Sequence, residues 1–360
     1  MRITELTDHH IDSGIGYYSF ELTRALQGID EAILYKPSRD NHPDYALESQ
    51  YPWLKGLWYK SLKQYRPYVL PFFLRAGITP GNTDLVHAHW YLSGLAATYL
   101  VSKPVVVTMH DVSLLHISDS NDRYLNYYKW AINRFRDREI PLIVVSEAAR
   151  KDTITYANYP EHLVYAVHNG ISNDRFYPIE KQKANDPFTI VYSGGLGKRK
   201  RLDLLLDALK IVQEKYPEVA LKVAGSSPEN TEYPQLVEEL KLNNVSFTGF
   251  VPDDQMNEFY NSGDLMVYTS SYEGFGMAPL EGMACGLPVI STRGGALEEV
   301  SGGGAAMVDD DKEAIADKII TLIEGDQQRN ELRNRGMEWV RQYTWARTAE
   351  LTHNIYQKVA

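Results

Sequence analysis

A single cysteine in 360 residues is the first informative absence. Cys285 has no intramolecular partner, so no internal disulfide holds the chain, and a reducing compartment is the expected setting. It lies in an apolar helix-like stretch, where a small buried filler is the expected role. Long apolar runs are missing too: none approaches the roughly 20 residues of a membrane-spanning helix. Met1 opens directly on strand-like Arg-Ile-Thr-Glu-Leu, without the basic stretch and apolar run of an export signal. The expected location is cytoplasmic, in solution or on the inner face of the membrane. Positive charge is also short, with 37 Lys and Arg against 47 Asp and Glu, a net charge of −10. That balance excludes a general nucleic-acid binder and requires any anionic ligand to be met by a local group of cations.

What is present is a regular alternation. Short β-branched runs alternate with amphipathic helical runs, the pattern of parallel sheets covered by helices. Strands are expected at 3–6, 32–35, 85–88, 105–109, 142–145 and 163–167, and again at 189–192, 220–224, 245–248, 265–268, 288–291 and 305–308. Helices include 202–215, 254–261 and 312–322. The length exceeds what one core usually serves. The fold class is therefore α/β, with two Rossmann-like doubly wound domains facing each other across a cleft lined by the carboxyl ends of both sheets. The polar stretch 179–187 marks the seam, giving an N-terminal domain over 1–178 and a C-terminal domain over 179–344. A last helix, 345–360, is expected to cross back onto the first domain.

The richest chemistry lies in Glu-Gly-Phe-Gly-Met-Ala-Pro-Leu-Glu, 273–281, a strand exit leading through a glycine-hinged turn into a helix. Pro279 suits a first helical turn, and the N–H groups from Phe275 to Ala278 are then aimed at an anion. Glu273 before the turn and Glu281 inside the helix bracket a bound diphosphate and can hold hydroxyls on either side of it. Either glutamate alone would be an ordinary residue near a helix start; joined to Gly274, Gly276 and Pro279 they point to a ligand. A second loop, 193–201, runs Ser-Gly-Gly-Leu-Gly-Lys-Arg-Lys-Arg. Its glycines permit a close turn and its cations arrive where a helix begins. There they oppose the helix dipole unless an anion is bound.

Two further loops fall in the first half. Ser13-Gly14-Ile15-Gly16 lets backbone approach a phosphate at a helix start, although glycine turns are also mere connections. Thr108-Met109-His110-Asp111 ends a strand; His110 can donate to a sugar hydroxyl and Asp111 can fix its tautomer or touch the sugar directly. His87 and His89 suggest a metal, but no third ligand is identifiable and none is inferred. Asp309 to Asp311, and Asp253 with Asp254, read as helix caps. Segment 51–75 carries Lys55, Lys60, Lys63, Arg66 and Arg75 among eight aromatics and no acidic residue. Two readings stay open: a surface for anionic lipid headgroups or an anionic acceptor, and a helical hairpin with aromatics inside.

These loops together resemble glycosyltransferase family 4, retaining nucleotide-sugar transferases of the GT-B fold. The strongest likeness is 272–290, beginning Tyr-Glu-Gly-Phe-Gly, similar to the family's two-glutamate signature. Val-His-Asn-Gly-Ile at 167–171, Val-Ser-Glu at 145–147, Phe-Thr-Gly at 247–249 and the segment from Gly294 to Glu299 support it. The resemblance implies that Glu281 holds the donor ribose and Glu273 the donor sugar. Backbone at Phe275, Gly276 and Met277 would meet the diphosphate, with Lys200 on its phosphates. His110 would lie near the reacting sugar, and Gly14 near the phosphate. Many members carry arginine where this chain has Gly195, which shifts the phosphate contact onto Lys200 and Arg199.

The implied reaction is transfer of a hexosyl-type sugar, with retention, from a UDP- or GDP-sugar to a carbohydrate or lipid-linked acceptor hydroxyl, in polysaccharide or glycolipid assembly. No cofactor is required. The rival readings are a GT-B epimerase or phosphorylase and a non-catalytic sugar-nucleotide sensor. A dinucleotide dehydrogenase is disfavoured, because Tyr17, Tyr18 and Ser19 follow Gly16 where a third glycine would stand.

Overall fold

The computed structural model describes residues 1–9, 13–35, 83–100, 103–115, 123–180 and 187–360. Segment 51–75, with the two readings left open for it, lies outside the described residues. The chain divides into two compact units, Met1–Gly170 with Trp345–Ala360, and Ile171–Thr344. Each is a fully parallel six-stranded sheet with helices, an α/β architecture.

The first sheet holds β1 (Arg2–Thr7), β2 (Glu31–Tyr35), β3 (Leu85–His89), β4 (Val105–Met109), β5 (Leu142–Val144) and β6 (Val164–Ala166), in the order β2-β1-β3-β4-β5-β6. Its described helices are α1 (Gly14–Leu26), α2 (Tyr91–Leu100), α3 (Arg123–Asp137) and α4 (Glu147–Tyr156). Every residue of β3 and of β4 is buried. Burial on both faces explains why β4 reads as the unbroken run Val-Val-Val-Thr-Met rather than as an alternation.

The second sheet holds β7 (Thr189–Tyr192), β8 (Ala220–Ala224), β9 (Val245–Gly249), β10 (Leu265–Tyr268), β11 (Val289–Ser291) and β12 (Ala306–Met307). Its order is β12-β11-β10-β7-β8-β9. Around it lie α5 (Leu202–Lys215), α6 (Tyr233–Glu239), α7 (Met256–Asn261), α8 (Met277–Ala284), α9 (Leu297–Ser301), α10 (Lys312–Glu324) and α11 (Asp326–Val340). Leu202, Leu205, Leu206, Leu209 and Val212 recur at helical spacing along α5, and all are buried. That stripe seats the helix on the sheet. Asp311 caps α10, accepting from Ala314 N at 2.9 Å. Asp253 and Asp254 instead sit within a 3-10 turn, and the capping position of α7 is Gln255, which makes no side-chain cap. Asp253 pairs with Arg175 at 3.0 Å, which takes it away from the capping role expected of it.

The division between units falls eight residues before the expected seam, after Gly170 rather than after Pro178. Residues 171–178 join the second unit for a physical reason. Phe176 is buried edge-on to Tyr260 at 6.0 Å, and Tyr177 N donates to Asn257 Oδ1 at 3.0 Å.

The last helix, α12 (Trp345–Val359), belongs to the first unit. Register pairs Glu5 of β1 with His87 of β3, and His89 follows on the same face. The Tyr356 hydroxyl from α12 donates to Glu5 Oε1 at 2.8 Å and lies 2.6 Å from His87 Nδ1. His87 Nε2 meets Thr108 Oγ1 at 2.7 Å, and His89 Nε2 meets Glu5 Oε2 at 2.5 Å. Burial opposes ionisation of Glu5, but the two imidazoles outweigh it and hold the carboxyl well below its usual range. Burial lowers His89 to about 4, so its ring is neutral. At the helix's other turns His353 bonds Asp30 at 2.6 Å and Trp345 packs edge-on against Tyr17 and Tyr18. Tyr356→Phe removes the donor to a buried carboxylate while keeping the ring. A loss of about 1–3 kcal/mol in unfolding free energy is expected from urea melts; an unchanged midpoint would show the network to be idle.

Candidate active site

The order of the second sheet sets the location. The chain runs outward from β7 through β8 to β9, then returns to lay β10 on the other side of β7. The carboxyl ends of β7 and β10 therefore form the topological switch point, the place where open α/β sheets take ligands. Two segments arrive there: the loop from Ser193 with its 3-10 turn Lys198–Lys200, and the loop leading from β10 to Glu273.

They meet on one carboxylate. Lys200 Nζ donates to Glu273 Oε1 at 2.7 Å and to the Tyr268 hydroxyl at 3.1 Å; that hydroxyl donates to Glu273 Oε1 at 2.9 Å. An Arg199 guanidinium nitrogen lies 3.3 Å from Glu273 Oε2 and also donates to the Tyr272 carbonyl. Glu273 is 8% exposed. Burial alone would raise its pKa, but the Lys200 and Arg199 charges outweigh it and hold the carboxyl below its ordinary value. Backbone fixes the same loops: Thr269 Oγ1 donates to the Lys200 carbonyl at 3.1 Å, and Ser271 N to the Arg199 carbonyl at 2.9 Å. The basic run thus divides. Arg201, left-handed at φ 52°, turns away to Asp203 and Asp310 at 3.4 and 3.6 Å, which relieves the charge at the start of α5.

Glu281 belongs to a second set. The Tyr260 hydroxyl donates to Glu281 Oε2 at 2.7 Å and lies 2.7 Å from Ser193 Oγ. Burial pushes the Glu281 pKa up, with the Tyr260 hydrogen bond pulling against it. Consecutive residues link the two sets. Ser193 touches the Glu281 set, while Gly194 lies so close to Tyr268 that an added Cβ would stand 2.7 Å from its ring. Between the glutamates, Gly276 begins α8 at φ 93° without a side-chain cap, and Phe275 is buried edge-on to Tyr343 at 6.0 Å. Glu273 is pinned by its backbone: its N donates to the Gly294 carbonyl at 3.3 Å and its carbonyl accepts from Ala296 N at 2.9 Å.

The first unit places its residues at the carboxyl end of its own sheet. His110 follows β4, edge-on to Tyr18 at 4.6 Å. Burial, and then neighbouring histidines, lower its pKa well below the ordinary value. Its Nε2 has no hydrogen-bond partner among the described residues. Asp111 does not fix this ring as expected; its carboxylate accepts from Ser113 N and begins the 3-10 turn Ser113–Leu115. Gly14 opens α1, capped by Ser13 Oγ on Gly16 N at 3.1 Å, and a Cβ at Gly14 would meet no described atom within 4 Å. The third neighbour of His87 and His89, invisible in sequence, is Glu5, and the three offer ligand atoms within 4.8 Å of one another. Tyr356 and Thr108 already engage Glu5 and His87, so the cluster reads as a hydrogen-bonded core network. Cys285 is a buried thiol donating to Asn257 Oδ1 at 3.1 Å.

Sequence reasoning named Glu273, Glu281, Lys200, Arg199 and the loop that opens at Ser193, but missed Tyr268, Tyr260 and the contact of the Ser193 hydroxyl with Tyr260. Tyr268 ends an apolar strand and Tyr260 lies in an amphipathic helix, where aromatics normally signal core. The only available signal was the position of Ser193 and Tyr268 at two strand ends.

Among the described residues no helix is long and apolar enough to cross a membrane. The family model for glycosyl transferases group 1 matches residues 174–339, and that for Glycosyltransferase Family 4 matches 13–175. O-antigen chain mannosyltransferase B of Escherichia coli is 26% identical over 268 residues, 70% of each chain. Sucrose-phosphate synthase of Thermosynechococcus elongatus superposes with a TM-score of 0.81 at 19% identity, over 99% of both chains. Anabaena HepE, solved with UDP and glucose, gives 0.75 at 20% identity, again over 99% of both. These likenesses, with two parallel six-stranded sheets and paired glutamates at a switch point, place the chain in glycosyltransferase family 4, as a glycosyltransferase of the GT-B fold.

Proposed function

We propose that the protein moves a hexosyl sugar from a nucleoside diphosphate sugar to an acceptor hydroxyl with retention of anomeric configuration. The observation that carries this reading is the Lys200, Arg199 and Glu273 set at the switch point of the second sheet. In an otherwise acidic chain, two cations are gathered there by one buried carboxylate. A diphosphate gains negative charge as its bond to the sugar breaks, and cations fixed beforehand stabilise that charge more in the transition state than in the ground state. The start of α8, with backbone at Phe275, Gly276 and Met277, adds the positive end of a helix dipole. Glu281 then accepts from the ribose hydroxyls and Glu273 from a sugar hydroxyl. His110 and Gly14 in the first unit are assigned to the sugar and the phosphate.

In the reaction, the bond from the acceptor oxygen to the anomeric carbon forms on the face from which the nucleoside diphosphate leaves. The bond from that carbon to the phosphate oxygen breaks, and the acceptor proton passes to the departing phosphate. His110, neutral because its pKa is depressed, acts as a hydrogen-bond donor rather than a titrating acid. The nucleotide is assigned as UDP or GDP: HepE is solved with UDP, and the Escherichia coli relative is a mannosyltransferase. The acceptor is a carbohydrate or a lipid-linked carbohydrate, and the contact with anionic membrane is assigned to segment 51–75.

A thermal-shift panel of UDP-, GDP- and ADP-sugars tests the donor. A ligand at a hundred times its Kd stabilises the folded form by about 2.7 kcal/mol, which raises Tm on the order of 5–10 °C for a domain of this size. Silence toward all three classes would refute the nucleotide-sugar reading.

With the responding donor, Lys200→Ala and Glu281→Ala are each expected to lower kcat/KM about 100- to 1,000-fold with the fold retained by circular dichroism, Lys200→Ala also lowering Tm because Glu273 loses its nearest cation. Near-normal turnover in both would remove these residues from the site.

Glu281 also predicts a pH dependence. Its raised pKa means that, as pH falls, it gains a proton above the ordinary carboxylate value of about 4.3. The ionised form is the one that accepts two hydroxyls. Donor affinity should therefore weaken on acidification from above that value, and Glu281→Gln should flatten the dependence. An equally steep profile in the variant would assign the titration elsewhere.

A further inference from the structure

Tyr268 belongs to none of the motifs read in the sequence, yet its hydroxyl touches both members of the central ion pair. It takes a hydrogen bond from Lys200 Nζ at 3.1 Å and gives one to Glu273 Oε1 at 2.9 Å. A hydroxyl has one proton to donate, and here the donor and acceptor directions match the signs of the two neighbours. The side chain is buried, and Lys200 Nζ also lies 5.7 Å from its ring centroid. The ring stacks on Tyr192 at 6.3 Å and 24°. The Tyr192 hydroxyl in turn donates to the Lys200 carbonyl at 3.1 Å, with the Gly195 carbonyl 3.3 Å away as the second acceptor of a shared proton. One tyrosine of the stacked pair therefore holds the backbone of Lys200, and the other holds its ammonium. Space for the second is left by Gly194, whose φ of 135° and missing side chain let the ring lie against the loop.

A lysine is a flexible point charge on a four-carbon stem, and its use at a phosphate depends on where the ammonium is held. Glu273 alone would hold it, but would also follow it as it moves. The hydroxyl, fixed on a strand end by a buried and stacked ring, supplies a reference point that neither charge supplies.

We propose that Tyr268 is a positioning residue for the donor diphosphate: its hydroxyl holds the Lys200 ammonium at the switch point and keeps Glu273 beside it. The inference rests on the nucleotide-sugar reading and adds to it a residue that acts through Lys200. When the diphosphate arrives and takes contacts from Lys200, the hydroxyl keeps Glu273 hydrogen-bonded, so the buried carboxylate is never left bare.

The test is a double-mutant cycle on the full chain with Tyr268→Phe, Lys200→Met and the double variant. Calorimetry reads the binding of UDP and UMP, with GDP and GMP as the second pair. Phenylalanine keeps the ring and its stacking, and Tm is followed in parallel. Tyr268→Phe is expected to weaken the diphosphate about tenfold while leaving the monophosphate within about twofold. In the Lys200→Met background it should cause little further loss, since a residue acting through Lys200 is not additive with its removal. The inference is overturned if Tyr268→Phe binds the diphosphate as the wild type does. It is also overturned if the loss is the same in both backgrounds, or if mono- and diphosphate weaken together with a lowered Tm, which marks a structural role alone. Failure of the wild type to bind any of the four would instead overturn the donor reading, and this inference with it.

Discussion

The second unit is arranged around one buried negative charge. Ionised carboxylates leave water at a cost of several kcal/mol unless partners are close and well oriented. Glu273 meets that demand with Lys200, Arg199 and Tyr268. Each partner has to be held as well, and the holding spreads outward. Tyr192 and Thr269 fix the Lys200 carbonyl, Ser271 fixes Arg199, and Gly294 and Ala296 fix the backbone of Glu273 itself. The carboxyl ends of β7 and β10 and the loop beyond β11 are thereby tied around a single side chain. Removal of one partner would leave the charge uncompensated, so the ion pair is weak evidence for stability but strong evidence for specific geometry.

The same demand appears in the first unit with different chemistry. Glu5 is buried on β1, and its partners are two imidazoles from β3 and a phenol from the last helix. Its position explains why α12, which follows the second unit in sequence, belongs to the first in contacts. An apolar helix could have covered that face. This one brings Tyr356 to a carboxylate, which also fixes the register of the helix along the sheet.

Much of this was legible in the sequence, and the reasons are physical. Parallel strands buried on both faces are mostly apolar along their length, so Val105–Met109 and Leu265–Tyr268 stand out as runs. The turn at 273–281 stands out because glycine and proline constrain backbone wherever they occur. Side-chain partnerships across the fold were hidden. Nothing in Lys-Arg-Lys-Arg indicates that Arg199 and Lys200 serve Glu273 while Arg201 serves Asp203 and Asp310; the left-handed Arg201 makes that division. Glu5 reads as one polar residue in a strand until register brings it beside His87. Tyr268 and Tyr260 carry aromatic rings for the core and hydroxyls for the site, and a sequence displays only the first role. The boundary at Gly170 was hidden likewise, since Phe176 and Tyr177 join the second unit through contacts with α7.

The opposed shifts of the two glutamates suggest how the proposed donor would be received. Glu273 is held ionised by cations, while Glu281 is pushed toward the neutral form by burial; environments that separate two carboxyls in this way commonly separate their roles. An arriving diphosphate would compete with Glu273 for Lys200 and Arg199. The cations would then exchange one anion for another rather than lose water on binding, which lowers the cost of burying the phosphates. Glu273, relieved of part of its pairing, would turn its lone pairs to a sugar hydroxyl while the Tyr268 hydroxyl stays on it. Glu281 faces the opposite change. Ribose hydroxyls would join Tyr260 in stabilising its charged form, so binding would draw its pKa down from the raised value. One carboxylate would give up cations as the other gains donors, and the acidic chain could accept a strongly anionic substrate without adding a positive charge beyond those already paired.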